Sequence, residues 1–249
     1  ILQWNPPVLA FGPGSARALP PPPPDTPRGH QIPTVNPTNP TPGLADITRS
    51  HLEAHAYDVN IRIREAGRAD LSTLVVPHEI ALPVHVGAGP ERVAPPMEPV
   101  VVVEDERVSV SAVLVQHAPV FPSFAYRFDT DDGSVVISGD TAPSPNLVAL
   151  ARGADILVHE VFADDLWDQW DEDEEEDWEA SQREHHLFTA HTGLSDVGEV
   201  AGEAEVGRLV LTHFIPGDDT LPDEHWTRGT ADSFAGEVVV GSDLLELSL

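Results

Sequence analysis

From Val100 onward four short apolar runs each lead to a histidine or an aspartate, at His117, Asp140, His159 and His213. Runs of this length, rich in Val, Ile and Phe, read as buried strands rather than helices. Strands are expected at Val100–Glu104, Val108–Val115, Phe124–Asp129, Ser134–Ser138, Ile156–Val158, Leu209–Leu211, Val238–Val240 and Leu244–Leu247. Asp131-Asp132-Gly133 reads as a hairpin turn. Helices are expected at Asn146–Arg152, at Ser195–Val206 with Ser195 as N-cap, and at Pro222–Phe234. Strands followed by alternating strands and helices fit an α/β sandwich.

The first hundred residues are less regular. Val8–Phe11 reads as a strand, Leu44–Glu65 as a helix ended by Gly67, and Thr73–Val76 and Ile80–Val86 as strands. Residues 20–42 hold ten prolines and are expected to form an extended loop. Residues 164–184 hold twelve acidic side chains and read as a solvated, mobile insertion. Trp167, Trp170 and Trp178 are spaced so that an amphipathic helix is the alternative there. The whole of 1–249 is read as one domain carrying this loop and this insertion.

Composition removes several function classes. No cysteine is present, so disulfides, thiolate metal sites and cysteine nucleophiles are excluded. No apolar run is long enough to cross a membrane. All 13 basic residues are arginine; against 42 acidic residues they leave a net charge of −29. Such a surface repels phosphate backbones and weighs against nucleic acid as a partner. The unbroken acidic run 171–177 lacks the spaced oxygens and turn glycine of a calcium loop.

Twelve histidines without cysteine direct attention to His/carboxylate metal sites. His117 follows the Val113–Gln116 run, Asp140 follows Val135–Gly139, His159 follows Ile156–Val158, and His213 follows Leu209–Thr212. Polar residues placed directly after buried strands line the rim of a sheet, where ligand sites form.

The flanks of these residues carry a resemblance. The segments "LVQHAPVFPSFAYRF", "SVVISGDTAPSPNLVALARGADILVHEVF", "TAHTGLSDVGEVAGEAEVGRLVLTHFIPGDD" and "GEVVVGSDLLEL" resemble the metallo-β-lactamase superfamily, in its ribonuclease Z and arylsulfatase-like branch. The resemblance is continuous from about residue 100 to 249; "WNPPVLAFGPGSA" and "PGLADITRSHLEAHAYDVNIRIREAG" match less specifically. It implies an αββα sandwich and two divalent metal ions, zinc first, with manganese or iron as alternatives. By position it implies His117, Asp140 and His213 as metal ligands, Asp140 bridging. His191 would donate a proton or stabilise the charged transition state, with Glu160 supporting it. His159 would be structural.

The chain departs from this family in one respect. The H-x-H-x-D-H run that supplies most ligands of the first metal is absent from these 249 residues. The chain also starts at Ile1 rather than Met. The expectation is therefore a truncated chain, with the motif upstream and the first strands of the sandwich missing. Alone it should bind metal weakly and be nearly inactive, because each ion is left with two ligands where three are usual. The expected function is metal-dependent hydrolysis of a small ester, a phosphodiester or aryl sulfate, by a metal-activated water. The alternatives are ribonuclease Z-type tRNA 3′ processing, and an inactive remnant or protein-binding module. Expected partners are the small-molecule substrate and a second copy in a homodimer, with no membrane and a cytoplasmic location.

Overall fold

The structure, a computed structural model, describes residues 7–22, 32–167, 178–217 and 220–249. It divides into two compact units, residues 1–19 with 31–83, and residues 20–30 with 84–249.

In the first unit β1 (Val8–Gly12) pairs in parallel with β2 (Val75–Glu79). Two helices lie between them in sequence, α1 (Leu44–Ala54) and α2 (Ala56–Ala66). The single expected helix is thus interrupted at His55, and nothing in the local sequence explains the break. Gly67 ends α2 in the left-handed conformation, as expected. The Glu79 carboxylate accepts from the Ala45 N–H at 3.1 Å, satisfying a free donor in the first turn of α1. The expected strand Ile80–Val86 does not form. Pro83 lacks an N–H and biases its neighbour, and only one 3-10 turn follows, at Val84–Val86. The described part of the Pro-rich stretch, residues 20–22 and 32–42, contains no helix or strand.

The second unit is built on a seven-stranded sheet. Its strands are β3 (Val100–Glu104), β4 (Ser109–Leu114), β5 (Phe124–Thr130), β6 (Gly133–Ile137), β7 (Ile156–Phe162), β8 (Arg208–Ile215) and β9 (Glu237–Val240). They lie in sequence order across the sheet. Pairing is antiparallel from β3 to β6 and parallel from β6 to β9. The connections carry α3 (Pro145–Ala151), α4 (Trp178–Ala190), α5 (Leu194–Glu203) and α6 (Asp223–Thr230). This is the mixed α/β architecture that the sequence pattern predicts.

The core forms where α3, α5 and α6 cover the sheet. Leu147 and Leu150 of α3, Val197 and Ala201 of α5 and Trp226 of α6 pack with Val113, Val136, Leu157, Leu209 and Leu211. Fully burying each large apolar side chain contributes about 2 kcal/mol.

Several boundaries differ from expectation. Gly193, not Ser195, is the N-cap of α5; the Asp164 carboxylate instead accepts from the Ser195 hydroxyl at 2.7 Å. Strands β7 and β8 run past their apolar cores, so His159, Glu160 and His213 lie within strands rather than beyond them. Leu244–Leu247 makes no ladder, although Leu245 and Leu247 still line a cavity. The end of the acidic segment is helical, since α4 begins at Trp178. Residues 168–177, including Trp170 and the acidic run 171–177, lie outside the described residues. Among the described residues no helix is long and apolar enough to cross a membrane.

The pairing senses make β4, β6, β7 and β8 run in one direction. Their carboxyl ends therefore share one edge of the sheet, the usual place for ligand sites in such folds.

Candidate metal centre

Asp140 is presented by a tight turn after β6. Gly139 is left-handed with φ 62°, and a Cβ there would meet the Phe124 carbonyl oxygen at 2.8 Å, so glycine is required. The turn is held from both sides. The Thr141 N–H donates to Glu160 Oε1 at 2.5 Å, and the Ala142 N–H donates to the Gln116 carbonyl at 2.7 Å. The second bond ties the residue before His117 to the Asp140 turn.

Glu160 is the hub of the site. It is 1% exposed, and His191 Nδ1 donates to both its oxygens, at 2.8 and 3.0 Å. Burial raises the Glu160 pKa against the opposing pull of the His191 contact. Burial pulls His191 down, but the hydrogen bond and charge of Glu160 outweigh it and leave the imidazole raised. Both shifts make the pair hold its shared proton more tightly.

His213 is the extra residue of a β-bulge. Glu160 pairs with Thr212 and Val161 with Phe214, which leaves His213 unmatched, at φ 47°. Bulges re-aim side chains beside functional sites, and a non-glycine residue at positive φ is strained. The result places His213 Nε2 3.7 Å from Asp140 Oδ2 and His213 Nδ1 4.0 Å from Glu160 Oε2. Its ring stacks on His191, with centroids 5.9 Å apart and planes inclined by 10°.

His117 enters from β4. Its Nδ1–H donates to the Ala190 carbonyl at 2.8 Å, which leaves Nε2 as the free donor atom. A backbone or carboxylate partner on the second ring nitrogen is the habit of metal-ligating histidines. Its ring lies 5.1 Å from that of His191.

The structure thus gathers His117, Asp140, Glu160, His191 and His213 at one sheet edge. It leaves His159 out. That residue is fully buried on β7, alternates with Glu160, and donates from Nδ1 to the Glu160 carbonyl at 2.7 Å. Burial pushes its pKa down to about 4, so it is a neutral core histidine.

His186 on α4, one of the adjacent pair His185-His186 that follows the acidic segment, lies beside this group. Its ring lies 5.7 Å from His117 and 5.3 Å from His191.

The donor chemistry fits a divalent metal. Donor atoms of Glu160, His191 and His213 already lie within 4.8 Å of one another. Imidazoles with carboxylates and no thiolate suit zinc, and accept manganese or iron. A cavity of about 890 Å³ adjoins His213, lined in part by Val158, Val210, Trp226, Val240 and Leu247.

No protein-family model matches the chain. Individual relatives do. The chain is 32% identical over 213 residues to ribonuclease Z of Mycobacterium tuberculosis strain H37Ra, covering 86% of this chain and 67% of that protein. It is 31% identical over 219 residues to ribonuclease Z of Mycobacterium avium strain 104, covering 88% and 68%. The chain belongs to the ribonuclease Z branch of the metallo-β-lactamase-fold hydrolases.

Likeness to solved members of the superfamily is weaker. A metallo-β-lactamase-fold protein from Bacillus subtilis gives a TM-score of 0.46 at 17% identity, covering 74% of this chain and 60% of that one. Human tRNase Z, short form, gives 0.46 at 22%, covering 78% and 63%. At this level they add nothing to the assignment, which rests on the sequence relatives. The chain spans about two thirds of the length of the two ribonucleases Z it matches.

Proposed function

We propose that the protein acts as a ribonuclease Z-type endonuclease, hydrolysing a phosphodiester of tRNA at the 3′ side. The observation that carries this reading is the Asp140, Glu160, His191 and His213 cluster in a chain whose named relatives are ribonucleases. Those relatives favour RNA over the small ester that charge alone suggested, and none of them is named for an aryl sulfate.

In this reading His117, Asp140 and His213 are the residues of this chain that would hold divalent metal ions. When bound, the ions supply Lewis acidity and lower the pKa of water. The chain's own groups do the rest. Glu160 fixes the His191 tautomer and ring plane and keeps its second nitrogen free to face substrate. His191 stabilises charge on the phosphate or delivers a proton to the leaving oxygen. Thr141 and Gly139 hold Asp140 against the neighbouring strand end. The cytoplasm is the proposed compartment.

The test compares substrates under saturating zinc or manganese, which compensates for a weakly held ion. A precursor tRNA with a 3′ trailer should be cut faster than an aryl phosphodiester or aryl sulfate. Preference for either aryl ester, or no cleavage of the precursor, would contradict the reading.

A further inference from the structure

We propose, on the ribonuclease reading of the site, that His186 contacts the substrate: its imidazole N–H donates a hydrogen bond to a non-bridging oxygen of the scissile phosphodiester, beside His191.

The placement of α4 supports this role. The helix ends at Ala190, whose carbonyl accepts from His117 Nδ1, and the next residue, His191, is bonded to Glu160. Both bonds pin the last turn of α4 to the rim of the sheet. His186 sits one turn before that end, on the same face as Ala190. Its ring meets His191 at 5.3 Å and His117 at 5.7 Å. It is half-buried, whereas His191 is only 7% exposed, so His186 stands on the solvent side of the pair.

His186 is also free to act. His117 and His191 each commit Nδ1 to a partner within the protein. Neither ring nitrogen of His186 has a hydrogen-bond partner among the described residues. Two imidazoles with centroids 5.3 Å apart can each bring a nitrogen within about 2.9 Å of a different oxygen of one phosphate.

Charge favours such a donor. A phosphodiester is an anion, and Asp140 and Glu160 already stand at this rim. Arginine usually answers phosphate charge, through paired N–H donors. Among the described residues no arginine hydrogen-bonds or ion-pairs with His117, Asp140, Glu160, His191 or His213. The N–H of His186 supplies a donor there, and a neutral imidazole has one to give. Hydrogen bonds to a charged acceptor belong to the strong class, and donors aimed at developing phosphate charge speed the chemical step.

The test measures kcat and KM of the 249-residue chain on precursor tRNA under saturating zinc or manganese. His186→Leu keeps bulk and removes the donor; it should lower kcat at least tenfold. The amides of His186→Asn and His186→Gln place an N–H near the positions of Nδ1 and Nε2, and one of the two should recover most of the loss. His185→Leu should change nothing, since His185 is exposed and about 100° round the helix. Sulfur in place of one non-bridging oxygen at the scissile linkage is a poor acceptor. The loss in His186→Leu should therefore shrink for one phosphorothioate diastereomer and persist for the other. Wild-type kcat in His186→Leu, equal losses on both diastereomers, or no recovery in either amide variant overturns the proposal and leaves the ribonuclease reading standing. If the wild-type chain cleaves no precursor, the ribonuclease reading fails and this proposal falls with it.

Discussion

His191 Nδ1 lies 2.8 Å from Glu160 Oε2, and the two side chains are 7% and 1% exposed. A buried carboxylate beside a buried imidazole is tolerable only when the pair holds a proton in common. Glu160→Gln keeps the shape and removes the charge. The His191 pKa should therefore fall, since the carboxylate is what raises it above its ordinary value. With that rise goes the stability it contributes, which is full below the unfolded pKa and lost as pH climbs through the folded one. Histidine ring NMR against pH checks this; an unmoved His191 titration would contradict it.

His159 gives the opposite pH dependence. Its folded pKa is depressed to about 4 by complete burial. The unfolded chain takes up this proton near pH 6.5 and the folded protein does not. Stability attributable to His159 is therefore complete above about pH 6.5 and declines toward pH 4, by on the order of 3 kcal/mol. Urea unfolding between neutral pH and about pH 4 should show this decline, and His159→Phe should flatten it.

Gly139 and Gly67 make a matched pair. Both are left-handed, at φ 62° and 57°, but a Cβ meets backbone at 2.8 Å only at Gly139. Gly67→Ala should cost about 1 kcal/mol, the strain of that conformation alone. Gly139→Ala should cost more, on the order of 2–3 kcal/mol, and should also weaken metal binding by moving Asp140. Thermal unfolding of the two variants, with and without zinc, measures the difference.

Charge predicts how RNA would be held. Residues 84–249 carry 35 acidic and seven basic side chains, while residues 1–83 carry seven and six. Few arginines are available to displace counterions, so affinity for precursor tRNA should fall only gently with salt. A steep log–log slope in a binding titration would mean a basic surface that the composition does not provide.

The strands around the site were legible because each is a short apolar run; after β4, β6 and β8 the run leads to His117, Asp140 and His213, but on β7 the first polar residue is the core histidine His159, and Glu160 follows it. Asp140, Glu160, His191 and His213, singled out by strand ends or by the flanking segments, are brought together at one sheet edge. The bulge at His213 was not legible, because an inserted residue leaves no mark on a strand's composition. The helix carrying His186 was hidden for a different reason. It begins inside an acidic stretch whose charge reads as solvated loop, while its packing depends on Phe188, which meets Phe162 at 5.2 Å and Trp167 at 5.8 Å. The break at His55 and the unpaired Leu244–Leu247 segment show the same limit. Periodicity reports which side chains are apolar, and tertiary pairing decides which of them form a helix or a ladder.

The central claim is that Asp140 and His213 bind metal at the rim of this sheet. Elemental analysis of the purified 249-residue chain after equilibration with zinc tests it most directly, alongside Asp140→Ala and His213→Ala. Zinc should be retained by the wild-type chain at fewer than two ions per chain and lost from both variants. Zinc retained equally by all three proteins would contradict the claim, as would none retained by any.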